Sequence, residues 1–103
     1  NETSLLMLEE QHAFRPPGGE WTDLSRSDTR WTMLREFARH PHTEVSDSEL
    51  MEAVWPGEVI MTDAANNRIY VSISKLRKAG LHSRLARGDA GYVLECDVSW
   101  VSV

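Results

Sequence analysis

The segment Ala65–Gly80 reads ANNRIYVSISKLRKAG, and its periodicity decides the architecture of the 103-residue chain. With Ile69 set at zero and about 100 degrees of rotation per residue, Ile73 and Leu76 fall within about 40 degrees of it, giving one apolar stripe. The opposite side carries Asn67, Arg68, Val71, Ser74, Lys75 and Lys78, with Ser72 and Arg77 on the flanks. Gly80 stands just past the last periodic residue, where helices commonly end. The pattern predicts an amphipathic helix over 65–79. Lysines and arginines on such a face often serve solubility alone, so the surroundings of this helix decide what the face is for.

Towards the N-terminus, Ser46 and Glu49 have the S-x-x-E spacing of a capping box ahead of Leu50, Met51, Val54 and Trp55. A second helix therefore starts there and stops at Pro56-Gly57, and residues 56–64 read as a loop. Further back, Trp31, Leu34 and Ala38, with Phe37 beside them, recur at helical spacing from a cap at Ser25 or Ser27 until His40-Pro41 ends the run. Leu5–Leu8, Ala13-Phe14 and Trp21–Leu24 are short strand-like runs around the turn chemistry of Arg15-Pro16-Pro17-Gly18-Gly19, which predicts a small antiparallel sheet. Beyond the Ala65–Gly80 segment, Leu85 and Tyr92-Val93-Leu94 flank Arg87-Gly88-Asp89-Ala90-Gly91, a β-hairpin with a glycine-rich tip. The expected arrangement is one α+β domain: N-terminal strands in 1–24, three helices in 25–80, and a hairpin with a C-terminal extension in 81–103.

Composition bounds the rest. An apolar share of 41% and a charged share of 26% fit a soluble globular domain, and no apolar run is long enough to cross a bilayer. The single Cys96 excludes an intrachain disulfide, so a reducing cytoplasm is the default expectation. A first residue other than methionine, with no signal segment after it, suggests a piece of a longer protein. His12, His40, His42 and His82 lie in different segments without acidic or cysteine partners at ligand spacing, so no metal is expected. No nucleophile elbow or cofactor fingerprint is present, and neither enzyme activity nor a cofactor is expected. Trp31 and Trp55 take core positions of their helices; Trp21 and Trp100 have no assigned place.

The formal charge of −5 conceals a division along the chain. Residues 1–63 hold five basic against thirteen acidic residues. Residues 64–103 hold six basic (Arg68, Lys75, Arg77, Lys78, Arg84, Arg87) against three acidic. A polar, cationic helix preceded by a capped helix and followed by a basic hairpin suits a DNA groove. Lys75 and Arg68 can reach guanine O6 and N7 or phosphate, Asn67 an adenine edge, and Val71 a thymine methyl. Ser72 and Arg77 suit phosphate, and Arg84 and Arg87 an adjacent groove.

Val54-Trp55, the run from Asn67 to Ala79, and Arg87-Gly88 with Gly91-Tyr92-Val93-Leu94 resemble the effector domain of OmpR/PhoB-type bacterial response regulators. That family shows V-W near the end of its second helix, I-x-x-L-R-x-K in its recognition helix, and R-G-x-G-Y-x-L in its wing. The resemblance is specific from Ser46 to Leu94, weaker over the first helix, and one of layout only in the N-terminal strands. It implies a winged helix-turn-helix: a four-stranded N-terminal sheet, a three-helix core and a C-terminal β-hairpin wing over about 84–94. By position it places Asn67, Arg68, Ser72, Ser74, Lys75 and Arg77 on double-stranded DNA and makes Arg87 with Gly88 the wing contact. It further implies contact of the 56–64 loop with RNA polymerase, binding as a homodimer or in tandem, and a receiver or other domain N-terminal to Asn1.

Three departures stand out. Ser72 and Ser74 replace the family's frequent histidine or arginine, the wing has an extra residue with an acid, Asp89, at its tip, and the link from Gly80 to Arg84 is short. Residues 95–103 continue past the usual end of the family as an apolar tail, suited either to a partner's sheet edge or to this domain's own sheet. The rival to DNA binding is a winged helix that serves as a protein-interaction module through its acidic remainder or this tail.

Overall fold

The computed structural model describes residues 3–102. Two N-terminal runs pair as β1 (Ser4–Leu8) and β2 (Ala13–Arg15), joined by a single 3₁₀ turn at Glu9–Gln11. A short β3 (Thr22–Asp23) pairs antiparallel with β2. The alternation of β1 puts Leu5 and Met7 on the buried face, with Phe14 of β2 beside them.

The sheet is not purely antiparallel. Its fourth strand is the C-terminal extension, β7 (Asp97–Trp100), which lies parallel to β1 with Leu5 opposite Val98 and Met7 opposite Trp100, giving the order β3-β2-β1-β7. Of the two uses open to the tail, the chain adopts the internal one. Val98 packs on the core while Trp100 stays about half exposed at the end of the strand.

Three helices pack on one another and share a single core with this sheet. Helix α1 (Asp28–Arg39) buries Trp31, Met33, Leu34, Phe37 and Ala38. Helix α2 (Asp47–Val54) begins with the expected capping box: the Glu49 amide donates to Ser46 Oγ at 3.1 Å, and the Ser46 amide donates to Glu49 Oε1 at 3.0 Å. Helix α3 (Thr62–Leu76) starts three residues before the predicted boundary, because the polar turn Thr62-Asp63-Ala64 carries no apolar periodicity to announce it. It buries Ile69, Ile73 and Leu76. Past Leu76 the backbone widens into a π-type turn at Arg77–Leu81, where Gly80 sits at φ 120°. A Cβ at Gly80 would meet the Pro16 ring, so the end of α3 rests on the N-terminal turn and admits no side chain there.

A second sheet holds β4 (Glu44–Ser46), β5 (Leu85–Arg87) and β6 (Gly91–Leu94) in the order β4-β6-β5, both pairings antiparallel. Strands β5 and β6 form the expected hairpin. Among the described residues, no helix is long and apolar enough to cross a membrane, and no group of three or more His, Cys, Asp or Glu is placed to hold a metal.

Candidate nucleic-acid interface

Helix α3 turns a largely polar face outwards. Asn67, Val71, Lys75 and Lys78 are exposed and Ser74 is half-buried; the side chains of Asn67, Ser74, Lys75 and Lys78 form no ion pair or hydrogen bond among the described residues. Lys78 is the second residue of the wide turn, following Arg77, which keeps helical backbone angles, and preceding the non-helical Gly80.

The remaining cations are engaged by the protein. Arg68 Nη1 donates to Glu58 Oε1 at 3.2 Å, and its guanidinium lies 5.5 Å from the ring centroid of Trp55, which draws it towards the α2–α3 loop. Arg77 donates through Nε and Nη2 to the Leu85 carbonyl oxygen at 3.0 and 2.8 Å, fastening α3 to the root of the hairpin. Arg87 Nη1 donates to both Asp47 carboxylate oxygens at 3.0 and 3.2 Å, and that hydrogen-bonded carboxylate raises its pKa further. Arg77 and Arg87 both place their guanidinium carbons over Tyr92, at 5.7 and 4.9 Å from the ring centroid.

The hairpin tip is held against the body. The Gly88 amide donates to the Gly91 carbonyl at 2.7 Å, the Asp47 amide to the Ala90 carbonyl at 2.9 Å, and the Ala90 amide to Glu44 Oε2 at 2.7 Å. A Cβ on Gly91 would run into the Val45 carbonyl, so glycine is what lets β6 approach β4 this closely. Asp89 stays exposed at the tip.

No family model and no curated protein matches the sequence. Solved structures do match the fold. The DNA-binding domain of the response regulator AdeR, crystallised in complex with an intercistronic region, superposes with a TM-score of 0.69 at 16% identity, covering 89% of this chain and 94% of that one. The DNA-binding domain of Bacillus subtilis CssR gives 0.67 at 18% identity over 88% of this chain and 99% of that one. The DNA-binding domain of E. coli CadC gives 0.66 at 24% identity over 89% and 86%. The fold is a winged helix-turn-helix. In these terms α2 and α3 are the helix-turn-helix and β5–β6 is the wing.

Against this winged-helix frame the sequence-predicted residues separate. Asn67, Val71, Ser74, Lys75 and Lys78 share the outer face of α3 and its continuation. Ser72 does not join them: it is only 6% exposed, because its position beside the Ile69–Ile73–Leu76 stripe is closed over by packing. Arg77, read from the sequence as a phosphate contact, is engaged at the wing root by its two hydrogen bonds to the Leu85 carbonyl. Arg68 and Arg87 are exposed but paired with carboxylates, Arg84 is half-buried at the wing root, and Gly88 is half-buried against the Glu44 carboxylate. Trp31 is fully buried, while Trp55 is only partly buried and supports Arg68.

Two features escaped the sequence reading. Tyr70 is 56% exposed on the outer half of α3, next to Val71 at 42%. Its position about 100 degrees from Ile69 was the signal that placed it there. The α2–α3 loop is shorter than predicted, ending at Met61, and it exposes Val59 fully and Met61 at 83%.

Proposed function

We propose that this chain binds double-stranded DNA sequence-specifically as a transcriptional regulator, with α3 in the major groove and the wing along the backbone or minor groove. The observation that carries the proposal is the outer face of α3: amide, hydroxyl and two lysines without hydrogen-bond or ion-pair partners among the described residues, on a fold whose neighbour AdeR was crystallised with an intercistronic region. The net charge of −5 does not oppose this, since all but three of the anions lie before residue 64, and the outward residues of α3 from Asn67 onwards lie beyond it. The proposal extends to paired copies on repeated half-sites, to an adjoining receiver or other domain, and to RNA polymerase contact through the exposed Val59 and Met61 of the α2–α3 loop.

Fluorescence anisotropy of the chain on duplex DNA across a salt series tests the proposal. Binding weakens steeply with salt, and Lys75→Ala and Lys78→Ala each reduce the slope of log K against log salt by about one if they neutralise a phosphate. Absence of binding at low salt overturns it.

A further inference from the structure

The geometry points to a preference for A·T-rich major-groove sequence, with Tyr70 joining Val71 as a reader of thymine methyl groups. This inference rests on the DNA-binding reading and names the sequence class that the same face would select.

A recognition helix addresses base edges through its N-terminal or middle turns, while its C-terminal end meets the backbone. Besides Arg68, the outward residues in the middle turns of α3 are Asn67, Tyr70, Val71 and Ser74. None carries a charge at neutral pH. An asparagine amide matches adenine N6 and N7, an apolar side chain matches the thymine C5-methyl, and serine accepts either partner. Guanine is most often read by a bidentate arginine. The one arginine on this part of the helix, Arg68, is turned aside by Glu58 at 3.2 Å and by Trp55. Lys75 lies at the edge of the face and Lys78 at its C-terminal end, both suited to phosphate.

Tyr70 and Val71, neighbours in sequence and about 100 degrees apart around the helix, are exposed at 56% and 42%, the two apolar groups on an outer surface otherwise polar. In water such exposure contributes nothing to folding. Against a column of thymine methyls it buries apolar area on both partners.

The test is selection of the 103-residue chain against a randomised duplex library, followed by anisotropy on the best site and on the same site with deoxyuridine in place of thymidine, which removes only the methyl groups. The expected result is enrichment of A·T pairs at the core of the half-site. Wild type then loses about fourfold in affinity per contacted methyl on the deoxyuridine duplex. Val71→Ala and Tyr70→Ala lose that sensitivity, whereas Tyr70→Phe keeps it because the ring and not the hydroxyl makes the contact. Both side chains are largely exposed, so these variants keep the fold. Selected sites with G·C at the core, whose preference is erased by Arg68→Ala or Lys75→Ala, overturn this inference and leave DNA binding standing. Equal affinity for thymidine and deoxyuridine duplexes also overturns it. Absence of binding to any duplex at low salt removes both readings.

Discussion

Replacing Arg77 with alanine separates the two roles an arginine at this position can have. In the structure its guanidinium donates twice to one carbonyl oxygen, that of Leu85, at 3.0 and 2.8 Å, and lies 5.7 Å from the Tyr92 ring centroid. A charge-assisted hydrogen bond contributes about 1.5 to 3 kcal/mol, and the low end applies to this partly exposed site. The cation–π contact adds about 0.5 kcal/mol. Arg77→Ala should therefore destabilise the domain by about 2 kcal/mol, which for a domain of this size lowers the midpoint of thermal unfolding by roughly 10 °C. Arg77→Lys keeps the charge but cannot fork onto the carbonyl, so it recovers only part of the loss. Circular dichroism melts of both variants, run beside salt-dependent DNA binding, check this. An unchanged melting midpoint with a reduced salt slope, restored by lysine, would refute the bracing role and make Arg77 a phosphate contact after all.

Removing Glu58 as a charge, in Glu58→Gln, releases Arg68 from its 3.2 Å ion pair; the salt slope of DNA binding should steepen by about one, measured by anisotropy. Ser46→Ala breaks the capping box and should cost about 1 kcal/mol in urea unfolding. The same cap gives an acid-side signature. Hydrogen bonds from the backbone and hydroxyl of Ser46 lower the Glu49 pKa below its ordinary 4.5, so its contribution is present above that pH and is lost as pH falls through the lowered value. Wild type and Ser46→Ala melts should accordingly converge on acidification, and a gap that widens instead would contradict this. Gly91→Ala sets a methyl against the Val45 carbonyl and should loosen the wing from β4, visible as faster amide exchange at Ala90 and Val93.

Much of this was legible in the sequence because the governing interactions are local. The capping box needs only Ser46 and Glu49, three residues apart, and the stripe of α3 needs only Ile69, Ile73 and Leu76. What escaped depends on distant partners. Strand β7 is an apolar tail whose parallel place beside β1 comes from residues more than ninety positions away, so its sequence alone left a partner's sheet equally open. The face of a cation can be read from periodicity, but its engagement cannot. Arg68, Arg77 and Arg87 looked alike, and only the folded chain brings Glu58, Leu85 and Asp47 to them. Ser72 sat on the flank of the stripe, where packing decided its burial. The start of α3 was missed because Thr62 and Asp63 begin a helix without an apolar residue to mark it.

The most direct test of the DNA-binding account is a titration of the isotopically labelled chain with duplex DNA, followed by two-dimensional amide NMR. The account predicts that shifts and broadening gather on Asn67, Tyr70, Val71, Ser74, Lys75 and Lys78, with a second, smaller group at Arg87–Gly88 in the wing. Changes confined to β7 or to the exposed residues Val59 and Met61, with α3 unmoved, would contradict it and mark the fold as a protein-binding module.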